Sequence, residues 1–355
     1  MSLFLTEVER LARARSDLKM GAPVVIRSDT GLALVLAIEV LRAERLAAAG
    51  ALGRPDLALT RRRAETLAAR AYDGDLARVV PPSDAPLAWY YAVADPAADL
   101  AHPLKGPFST RREGPADLHR AALRLCKVAE LLPAALVVPV DDIPAPDLTV
   151  LEASLLSPRE LDLSEVSAAR VPTTHADIGR LRVFRTGDGA EEHYLYEIGQ
   201  PDRSGPVMAR LHSACFTGDV LGSLKCDCGP QLHAALDTMA AEGAGILLYL
   251  NQEGRGIGLA NKMRAYALQD QGFDTVDANH RLGFEDDERD FRLGAEMLKA
   301  VGVSAVRLMT NNPAKLARLS EQGVTVAGRV PLHVGERPEN AAYLATKARR
   351  SGHLR

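Results

Sequence analysis

The chain has 355 residues, enough for two or three domains of ordinary size with substantial cores. Its 47% hydrophobic and 25% charged residues are typical of a soluble globular protein. The net charge of −3 argues against an overall basic surface for nucleic acid, so any anion must be recognised locally. Four cysteines do not make a disulfide framework. The N-terminus lacks the long apolar run of a signal peptide, and the most apolar stretches, such as Leu32–Val40, are too short to span a bilayer. We therefore expect a cytoplasmic protein that binds neither nucleic acid nor a membrane.

Residues 1 to about 140 have the pattern of an α/β unit with few chemically informative residues. Good helix formers and amphipathic spacing predict helices at Glu7–Lys19, Gly31–Ala49, Leu57–Tyr72 and Asp117–Leu132. Apolar runs predict strands at Pro23–Ile26 and Ala134–Val140. His119 and Cys126 lie on the last predicted helix, where ordinary face and core roles are the simplest interpretation.

The second half alternates strands and helices more regularly. Strands are predicted at Ile178–Thr186, Glu192–Ile198, Val207–His212, Gly245–Leu250, Val303–Met309 and Val324–Val330. Helices are predicted at Pro230–Ala241, Leu259–Gln271 and Leu293–Val301, and also in the basic C-terminal tail Pro338–Arg355. Gly187–Gly189 forms a hairpin turn in this prediction, and Asn312 caps a helix that begins at Pro313.

Three of the four cysteines, Cys215, Cys226 and Cys228, form a C-x10-C-x-C pattern. Thiolates are preferred zinc ligands, and three protein ligands with one open position are typical of a catalytic zinc site. Gly218 and Gly222 make a loop that returns to the Cys226–Cys228 pair easy to form. Buried cysteines without a metal are the alternative, because free cysteine is a common core residue. The clustering favours a metal site.

Three further stretches contain polar groups, and each could either bind a ligand or have an ordinary structural role. The glycine loop Asn251–Lys262 suits phosphate binding, although most such loops are only turns. Gly283–Phe291 is either a solvated acidic loop or the site of an acid–base pair. Met309–Lys315 follows a strand, where α/β proteins bind ligands, but its residues also suit a helix cap.

Together these stretches resemble the GTP cyclohydrolase II family from about Arg210 to the end of the chain. The matching phrases are HSACFTGDVLGSLKCDCGPQL, LYLNQEGRGIGLANKMRAYALQDQGFDTVDANHRLGF, DERDF and LMTNNPAK. The resemblance implies an α/β fold with a mixed sheet and two domains, the C-terminal one carrying a zinc site. It also implies GTP as substrate, Mg²⁺ with the triphosphate and a homodimer.

The resemblance assigns roles residue by residue. The zinc ligands correspond to Cys215, Cys226 and Cys228. The GTP contacts correspond to Arg210, Leu211, His212, Ser213, Ala214, Gln231, Glu253, Gly254, Arg255, Thr275, Thr310 and Lys315. The catalytic positions are Asp287, the family's proton acceptor, Arg289, its proposed nucleophile, and Tyr266, near the imidazole-ring chemistry. Because a guanidinium stays protonated, we expect Arg289 to stabilise charge on the α-phosphoryl group instead.

Two positions depart from the family pattern. Ala214 replaces a common acidic residue before the first cysteine, and Asn251 replaces a common arginine before the glycine loop. The first change removes a carboxylate beside the metal, and the second removes a positive charge. Neither change removes a predicted metal ligand or the Asp287–Arg289 pair.

The N-terminal half faintly resembles 3,4-dihydroxy-2-butanone 4-phosphate synthase. The acidic metal-binding loop of that family is absent after Ile26, and Gly114–His119 lacks its Gly-His-Thr-Glu stretch. Without those carboxylates Mg²⁺ has no site, so this domain is predicted to be degenerate and non-catalytic. The predicted boundaries are residues 1–143 for this domain, 144–169 for a linker and 170–355 for the catalytic domain.

The expected reaction converts GTP to 2,5-diamino-6-(5-phospho-ribosylamino)pyrimidin-4(3H)-one, formate and diphosphate, as the first step of riboflavin biosynthesis. Zinc supplies a hydroxide for attack on C8 of guanine in this scheme. One alternative is a homologue that stops at the formamidopyrimidine product or serves another pathway. Another is a non-catalytic sensor that binds zinc and GTP.

Overall fold

Two seven-stranded sheets organise the chain, one in each of two units. The fold is taken from a computed structural model that describes residues 3–350 and residue 352. The first unit comprises Met1–Arg159 together with Ala260–Glu288, and the second comprises Glu160–Leu259 together with Arg289–Arg355. The chain therefore leaves the second unit once, contributes about thirty residues to the first, and returns.

The strands in chain order are β1 (Val24–Ser28), β2 (Gly31–Ala37), β3 (Asp56–Thr60), β4 (Leu76–Val80), β5 (Ser109–Thr110), β6 (Ala134–Val140), β7 (Thr149–Glu152), β8 (Leu163–Arg170), β9 (Gly179–Thr186), β10 (His193–Gly199), β11 (Val207–Ser213), β12 (Ala244–Leu250), β13 (Ala305–Met309) and β14 (Thr325–Val330). The α-helices are α1 (Glu7–Lys19), α2 (Ala43–Leu52), α3 (Arg61–Thr66), α4 (Leu87–Ala94), α5 (Asp117–Val128), α6 (Cys228–Glu242), α7 (Gly258–Asp270), α8 (Thr275–Leu282), α9 (Arg292–Ala300), α10 (Pro313–Glu321) and α11 (Ala341–Arg350). Short 3-10 turns are Ile38–Val40, Pro96–Ala98, Ala153–Leu156 and Pro338–Asn340.

The first sheet has the strand order β5-β4-β3-β6-β2-β1-β7. Its pairs are antiparallel except for β1 with β7, which run parallel. Side chains alternate between two cores because successive residues of a strand point to opposite faces. On β1, Val24 and Ile26 pack with helices α1 and α5, whereas Val25 packs with the core that includes α2, α3 and α4.

The second sheet has the order β14-β13-β11-β12-β10-β9-β8. Strands β11 to β14 pair in parallel, and β8, β9, β10 and β12 pair antiparallel. Helix α6 packs on one face through Ala235 and Met239, and α9 and α10 pack on the other. The sheet is mixed, as the resemblance implied, and the chain is an α/β protein in both units.

Two predicted helices of the first unit are wrong. Gly31–Ala49 contains strand β2 followed by the start of α2, and Leu57–Tyr72 contains most of β3 followed by α3. Both strands consist largely of leucine and alanine, which are good helix formers, so local propensity misled the prediction. Burial between two cores decided the outcome, because Leu34, Leu36, Leu57 and Leu59 are all buried.

Most other elements are confirmed within two or three residues. Helix α1 and strand β6 have the predicted bounds, and β9 and β10 form the predicted hairpin. Within the predicted linker, residues 144–169, strand β7 joins the first sheet and β8 begins the second. The predicted tail helix includes α11, whereas residues 351 and 353–355 lie outside the described residues. Within residues 3–350, no helix combines the length and apolar character needed to cross a bilayer.

Candidate functional site

The candidate site lies at the carboxyl ends of the parallel strands of the second unit. Strands β13, β11 and β12 are neighbours in that order, and their carboxyl ends lie at one edge of the sheet. The cysteine loop (residues 214–228) follows β11, the glycine loop (residues 251–258) follows β12, and the turn Thr310–Lys315 follows β13. Ligands of open α/β sheets bind at this edge, so the topology brings three of the predicted stretches together.

The three predicted zinc ligands form one cluster. The Sγ atoms of Cys215, Cys226 and Cys228 all lie within 4.8 Å of one another, and those of Cys215 and Cys226 are 3.7 Å apart. Four ligands about 2.3 Å from a zinc ion in a tetrahedron are separated by about 3.8 Å, so the observed spacing suits zinc. Cys215 and Cys226 are buried, and Cys228, the first residue of α6, is half-buried.

Gly218 makes this spacing possible. It lies in a π-helical turn, Phe216–Val220, and its backbone N–H donates to Cys215 Sγ at 3.3 Å. A Cβ atom at Gly218 would approach Cys226 Sγ to 2.8 Å, closer than real Cβ atoms come to other atoms, and it would lie 3.0 Å from Cys215 Sγ. The thiols therefore converge on a space that any other residue at this position would fill.

Asp219 fixes the start of the cysteine loop. Its carboxylate accepts hydrogen bonds from the backbone N–H of Cys215 at 3.0 Å and from Tyr249 Oη at 2.9 Å. It also lies 3.0 Å from Nε2 of His212, whose ring stacks on Tyr249. Burial lowers the pKa of His212, an effect that the Asp219 carboxylate opposes and the nearby Arg210 cation reinforces. Burial and the same carboxylate raise the pKa of Tyr249, so its hydroxyl stays protonated.

Arg210 carries a buried charge with neutral hydrogen-bond partners. Its Nη2 donates to Gln231 Oε1 at 2.7 Å and its Nη1 to the carbonyl of Met309 at 3.4 Å. Its Nε is one of two buried side-chain polar atoms, within the described part of the chain, that have no hydrogen-bond partner. Burial lowers the pKa of Arg210 to about 10, which still leaves it protonated at neutral pH. A buried donor of this kind is ready for an anionic ligand.

The glycine loop is tied to the cysteine loop. Glu253 Oε2 accepts the backbone N–H of Phe216 at 2.6 Å, and Glu253 Oε1 accepts the N–H of Gly254 at 3.0 Å. Gly254 and Arg255 both adopt the left-handed region, with φ values of 62° and 67°. Such a conformation is costly for arginine, and strained backbone of this kind clusters at binding sites.

Arg289 and Lys315 bring further positive charge to the same unit. Arg289 Nη1 donates to Ser213 Oγ at 3.0 Å, and Lys315 Nζ donates to the carbonyl of Leu211 at 2.8 Å. The ring of Phe291 lies 5.0 Å from Arg289 Cζ and 5.9 Å from Lys315 Nζ, distances typical of cation–π contacts. Both cations therefore contact β11 immediately before the cysteine loop.

The remaining predicted residues of the second unit have structural contacts. Thr310 is buried, and its hydroxyl accepts the N–H of Asn312, the confirmed cap of α10. The N–H of Ala214 donates to the carbonyl of Leu250. Asn251 donates its side-chain N–H to the carbonyl of Glu192, so this departure from the family pattern supports the loop.

Tyr266, Thr275 and Asp287 belong to the first unit. Lys262 Nζ lies 5.6 Å from the Tyr266 ring centre, and Thr275 Oγ1 accepts from Gln269 Nε2 at 3.2 Å. Asp287 is half-buried and comes two residues before Arg289. The roles that the resemblance assigns to these three residues stay predictions.

The sequence patterns did not single out two residues that the structure places around the thiols and cations. Tyr249 donates to Asp219, and the ring of Phe291 contacts three cations, those of Arg289, Lys315 and Arg318. An aromatic residue at the end of a buried strand beside a glycine loop was the available signal for Tyr249. Phe291 lies in the DERDF phrase, whose signal in the sequence is its charged residues.

The fold and this site define an α/β protein with a candidate thiolate metal centre at the carboxyl edge of parallel strands. A family model described as GTP cyclohydrolase II matches residues 164–331. A protein named GTP cyclohydrolase-2 from Azospirillum brasilense is 41% identical over 96% of this chain and 93% of its own length. The chain therefore belongs to the GTP cyclohydrolase II family and is an enzyme of that type.

Other similar proteins differ in how much of the chain they cover. Proteins of the same name from Escherichia fergusonii and Klebsiella pneumoniae are 55% and 54% identical over 55% of this chain, and over 98% and 96% of their own lengths. Among solved structures, a two-domain 3,4-dihydroxy-2-butanone 4-phosphate synthase from A. baumannii covers 93% of this chain and 100% of its own, with 16% identity and a TM-score of 0.32. A likeness that weak carries no argument about this chain.

Proposed function

We propose that this enzyme hydrolyses GTP, opens the imidazole ring of guanine and releases formate and diphosphate. The expected product is 2,5-diamino-6-(5-phospho-ribosylamino)pyrimidin-4(3H)-one, and the expected pathway is riboflavin biosynthesis. The relatives' name, GTP cyclohydrolase-2, supports the substrate. The observation that carries the proposal is a cluster of three thiols in the same unit as a buried, partly unsatisfied arginine.

The donor set of the cluster fits zinc. Cys215, Cys226 and Cys228 provide three soft ligands at tetrahedral spacing, and their number leaves one position open. A zinc ion held there supplies a Lewis acid for hydrolysis near neutral pH. Asp219 fixes the backbone of Cys215 through a charge-assisted hydrogen bond, as outer residues of metal sites commonly do for ligands.

The cations of the second unit suit the triphosphate of GTP. Arg210 has an unused buried N–H, and Arg255 follows Gly254 in a loop whose left-handed backbone suits anions. Arg289 and Lys315 contact residues on either side of His212. We assign them electrostatic roles, because positive charge stabilises phosphoryl oxygens without any proton transfer. Mg²⁺ bound together with the triphosphate is part of the same proposal, and it would add further positive charge there.

The roles proposed for the other residues follow from the resemblance. Asp287 accepts a proton or positions a water molecule, Tyr266 serves the imidazole-ring chemistry, and Thr275 contacts GTP. We also propose that the enzyme is a homodimer and that residues 1–143 are catalytically silent. The absence of that family's acidic loop after Ile26 supports this silence, because the set of carboxylates that would hold Mg²⁺ there is missing.

Incubation of the zinc-loaded protein with GTP and Mg²⁺ tests the proposal. Release of formate and diphosphate in equal amounts, with a product mass that lacks the formyl carbon, is the expected result. A product that retains that carbon would show that the reaction stops at the formamidopyrimidine. GTP binding without either released product would contradict catalysis and favour a sensor.

A further inference from the structure

Part of the family-matched region belongs to the first unit. The family match spans residues 164–331, whereas Ala260–Glu288 groups with the N-terminal residues Met1–Arg159. We call Ala260–Glu288 the inserted segment. It contains most of α7, all of α8 and three residues with proposed roles, Tyr266, Thr275 and Asp287.

N-terminal residues contact the beginning of the inserted segment on α7. Asn261, which is fully buried, donates its side-chain N–H to the carbonyl of Glu130 at 2.9 Å. Arg264 lies 3.2 Å from the carboxylate of Asp95 and 3.0 Å from that of Glu39. These contacts fix the helix turn that leads to Tyr266.

Near the end of the inserted segment, Gly283 is in close contact with Thr60. Thr60 Oγ1 donates to the carbonyl of Gly283 at 2.7 Å, and this bond is buried. Gly283 has a φ of +91°, and a Cβ atom there would approach Thr60 Oγ1 to 2.8 Å and Pro133 Cγ to 3.0 Å. The backbone of residue 283 therefore lies so close to the side chains of Thr60 and Pro133 that only glycine fits there.

Two ion pairs join N-terminal residues to the last four residues of the inserted segment. Arg62 pairs with Glu285 at 2.8 Å, and Lys127 pairs with Glu288 at 2.5 Å. These two carboxylates flank Asp287 in the sequence. N-terminal residues thus contact the inserted segment from Asn261 to Glu288, at both of its ends.

We propose that residues 1–159 are a positioning element that sets the conformation of Tyr266, Thr275 and Asp287. This inference rests on the proposed function for the roles of those three residues. The contacting residues act through the inserted segment and do not themselves touch the substrate. Residues 1–159 would thereby support three residues of their own unit that have proposed roles in the reaction.

The relatives differ in how much of this chain they cover. The E. fergusonii relative matches 55% of this chain, and that match of 194 residues covers 98% of the relative's own length. The A. brasilense relative matches 96% of this chain. Relatives with the same name therefore occur both at about half the length of this chain and at nearly its full length. In this chain the inserted segment has N-terminal contacts, so its conformation here depends on residues that the short relatives lack.

Thr60→Val in the full chain is the sharpest test, because it keeps the side-chain shape and removes the hydroxyl. The carbonyl of Gly283 then loses a buried donor, and amide hydrogen exchange in residues 260–288 should rise about tenfold. The rate constant kcat for formate release from GTP should fall several-fold, while the zinc content stays unchanged. Thr60 also caps α3 by accepting the N–H of Arg63, so loss of a cap needs a control.

Thr6→Val is the matched control. Thr6 caps α1 in the same way, and the described hydrogen bonds of its hydroxyl are to Glu9. It should leave exchange in the inserted segment and kcat unchanged. Equal effects in Thr6→Val and Thr60→Val would overturn the proposal, and so would raised exchange in Thr60→Val without a change in kcat.

Lys127→Ala provides a second variant should Thr60→Val fail to fold. It removes the pair with Glu288 and should raise exchange around residues 284–288, whereas Arg27→Ala, which loses a similar pair with Glu152, should not. A wild-type protein that never turns over GTP would contradict the proposed function instead. Even if the wild type does not turn over GTP, amide hydrogen exchange in residues 260–288 of these variants still tests whether N-terminal residues set the conformation of the inserted segment.

Discussion

The most deeply buried arginines of the two units differ in their hydrogen-bond partners. In the first unit the buried arginines pair with carboxylates, as Arg63 does with Asp99 and Arg78 does with Asp73. In the second unit Arg210 is equally buried, but its hydrogen-bond partners are the neutral oxygens of Gln231 and Met309. A neutralised cation can only stabilise structure. Arg210, whose hydrogen-bond partners are neutral, retains an unused buried N–H that a ligand could accept.

Cysteines show the same contrast. Cys126 in the first unit is fully buried among apolar residues, and burial raises the pKa of its thiol to about 12. It therefore stays a protonated core residue, as predicted from the sequence. Cys215, Cys226 and Cys228 in the second unit converge within 4.8 Å. Similar residue types thus serve packing in one unit and a candidate metal site in the other.

Cys226→Ser would have the largest effect. It removes a soft ligand from the cluster, so bound zinc should fall from about one ion per chain to near zero. Formate release should drop more than roughly a hundredfold, because even outer residues of metal sites contribute 10–100-fold. Metal analysis and a formate assay provide the measurements. Cys126→Ala is the control, and loss of zinc in that variant as well would break the contrast between the two kinds of cysteine.

Much of the second unit could be predicted because its signals are local. The C-x10-C-x-C pattern lies within fourteen residues, and Asn312-Pro313 contains its own cap and helix start. Strand–helix alternation then predicts that the loops after β11, β12 and β13 share an edge. The unsatisfied Nε of Arg210 could not be predicted, because it depends on where β13 and α6 place their oxygens.

The first unit was harder to predict for a physical reason. Strands β2 and β3 are rich in leucine and alanine, and only burial on both faces of the sheet makes them strands. The inserted segment was harder still. Its resemblance to the family is continuous along the chain, so nothing local indicates that it packs with N-terminal residues such as Thr60 and Lys127.

Replacing one buried arginine in each unit tests whether Arg210 binds GTP while Arg78 stabilises the fold. Arg210→Met should raise the KM for GTP about ten- to hundredfold, since a hydrogen bond to a charged group contributes about 1.5–3 kcal/mol. Arg78→Met should leave KM unchanged but destabilise the fold by about 3–5 kcal/mol, because Asp73 loses its partner while largely buried. Steady-state kinetics and thermal unfolding measure the two effects. A larger loss of stability in Arg210→Met than in Arg78→Met would reverse the assignment of binding and structural roles.

The smallest expected effect is the pH dependence of folding stability that comes from His193, which supports the glycine loop. His193 is buried, and its Nδ1 accepts the backbone N–H of Asn251 at 3.0 Å. Burial lowers the pKa of His193 to about 4, whereas an exposed histidine titrates near 6.5. The unfolded chain therefore binds a proton at a pH where the folded chain does not. The stability contribution of neutral His193 is complete above about pH 6.5 and is lost as the pH falls toward 4.

Calorimetry of the wild type and His193→Gln at about pH 7.5 and about pH 5 tests this direction. The wild type should lose about 2 kcal/mol from this residue between the two pH values, or about 5 °C in Tm of the second unit. His193→Gln should lose less on the same change, because glutamine does not titrate. His102→Gln, at an exposed histidine of the first unit, should follow the wild type. Equal acid sensitivity in all three proteins would mean that His193 is already protonated in the fold, and its Nδ1 could then not accept the N–H that begins the glycine loop.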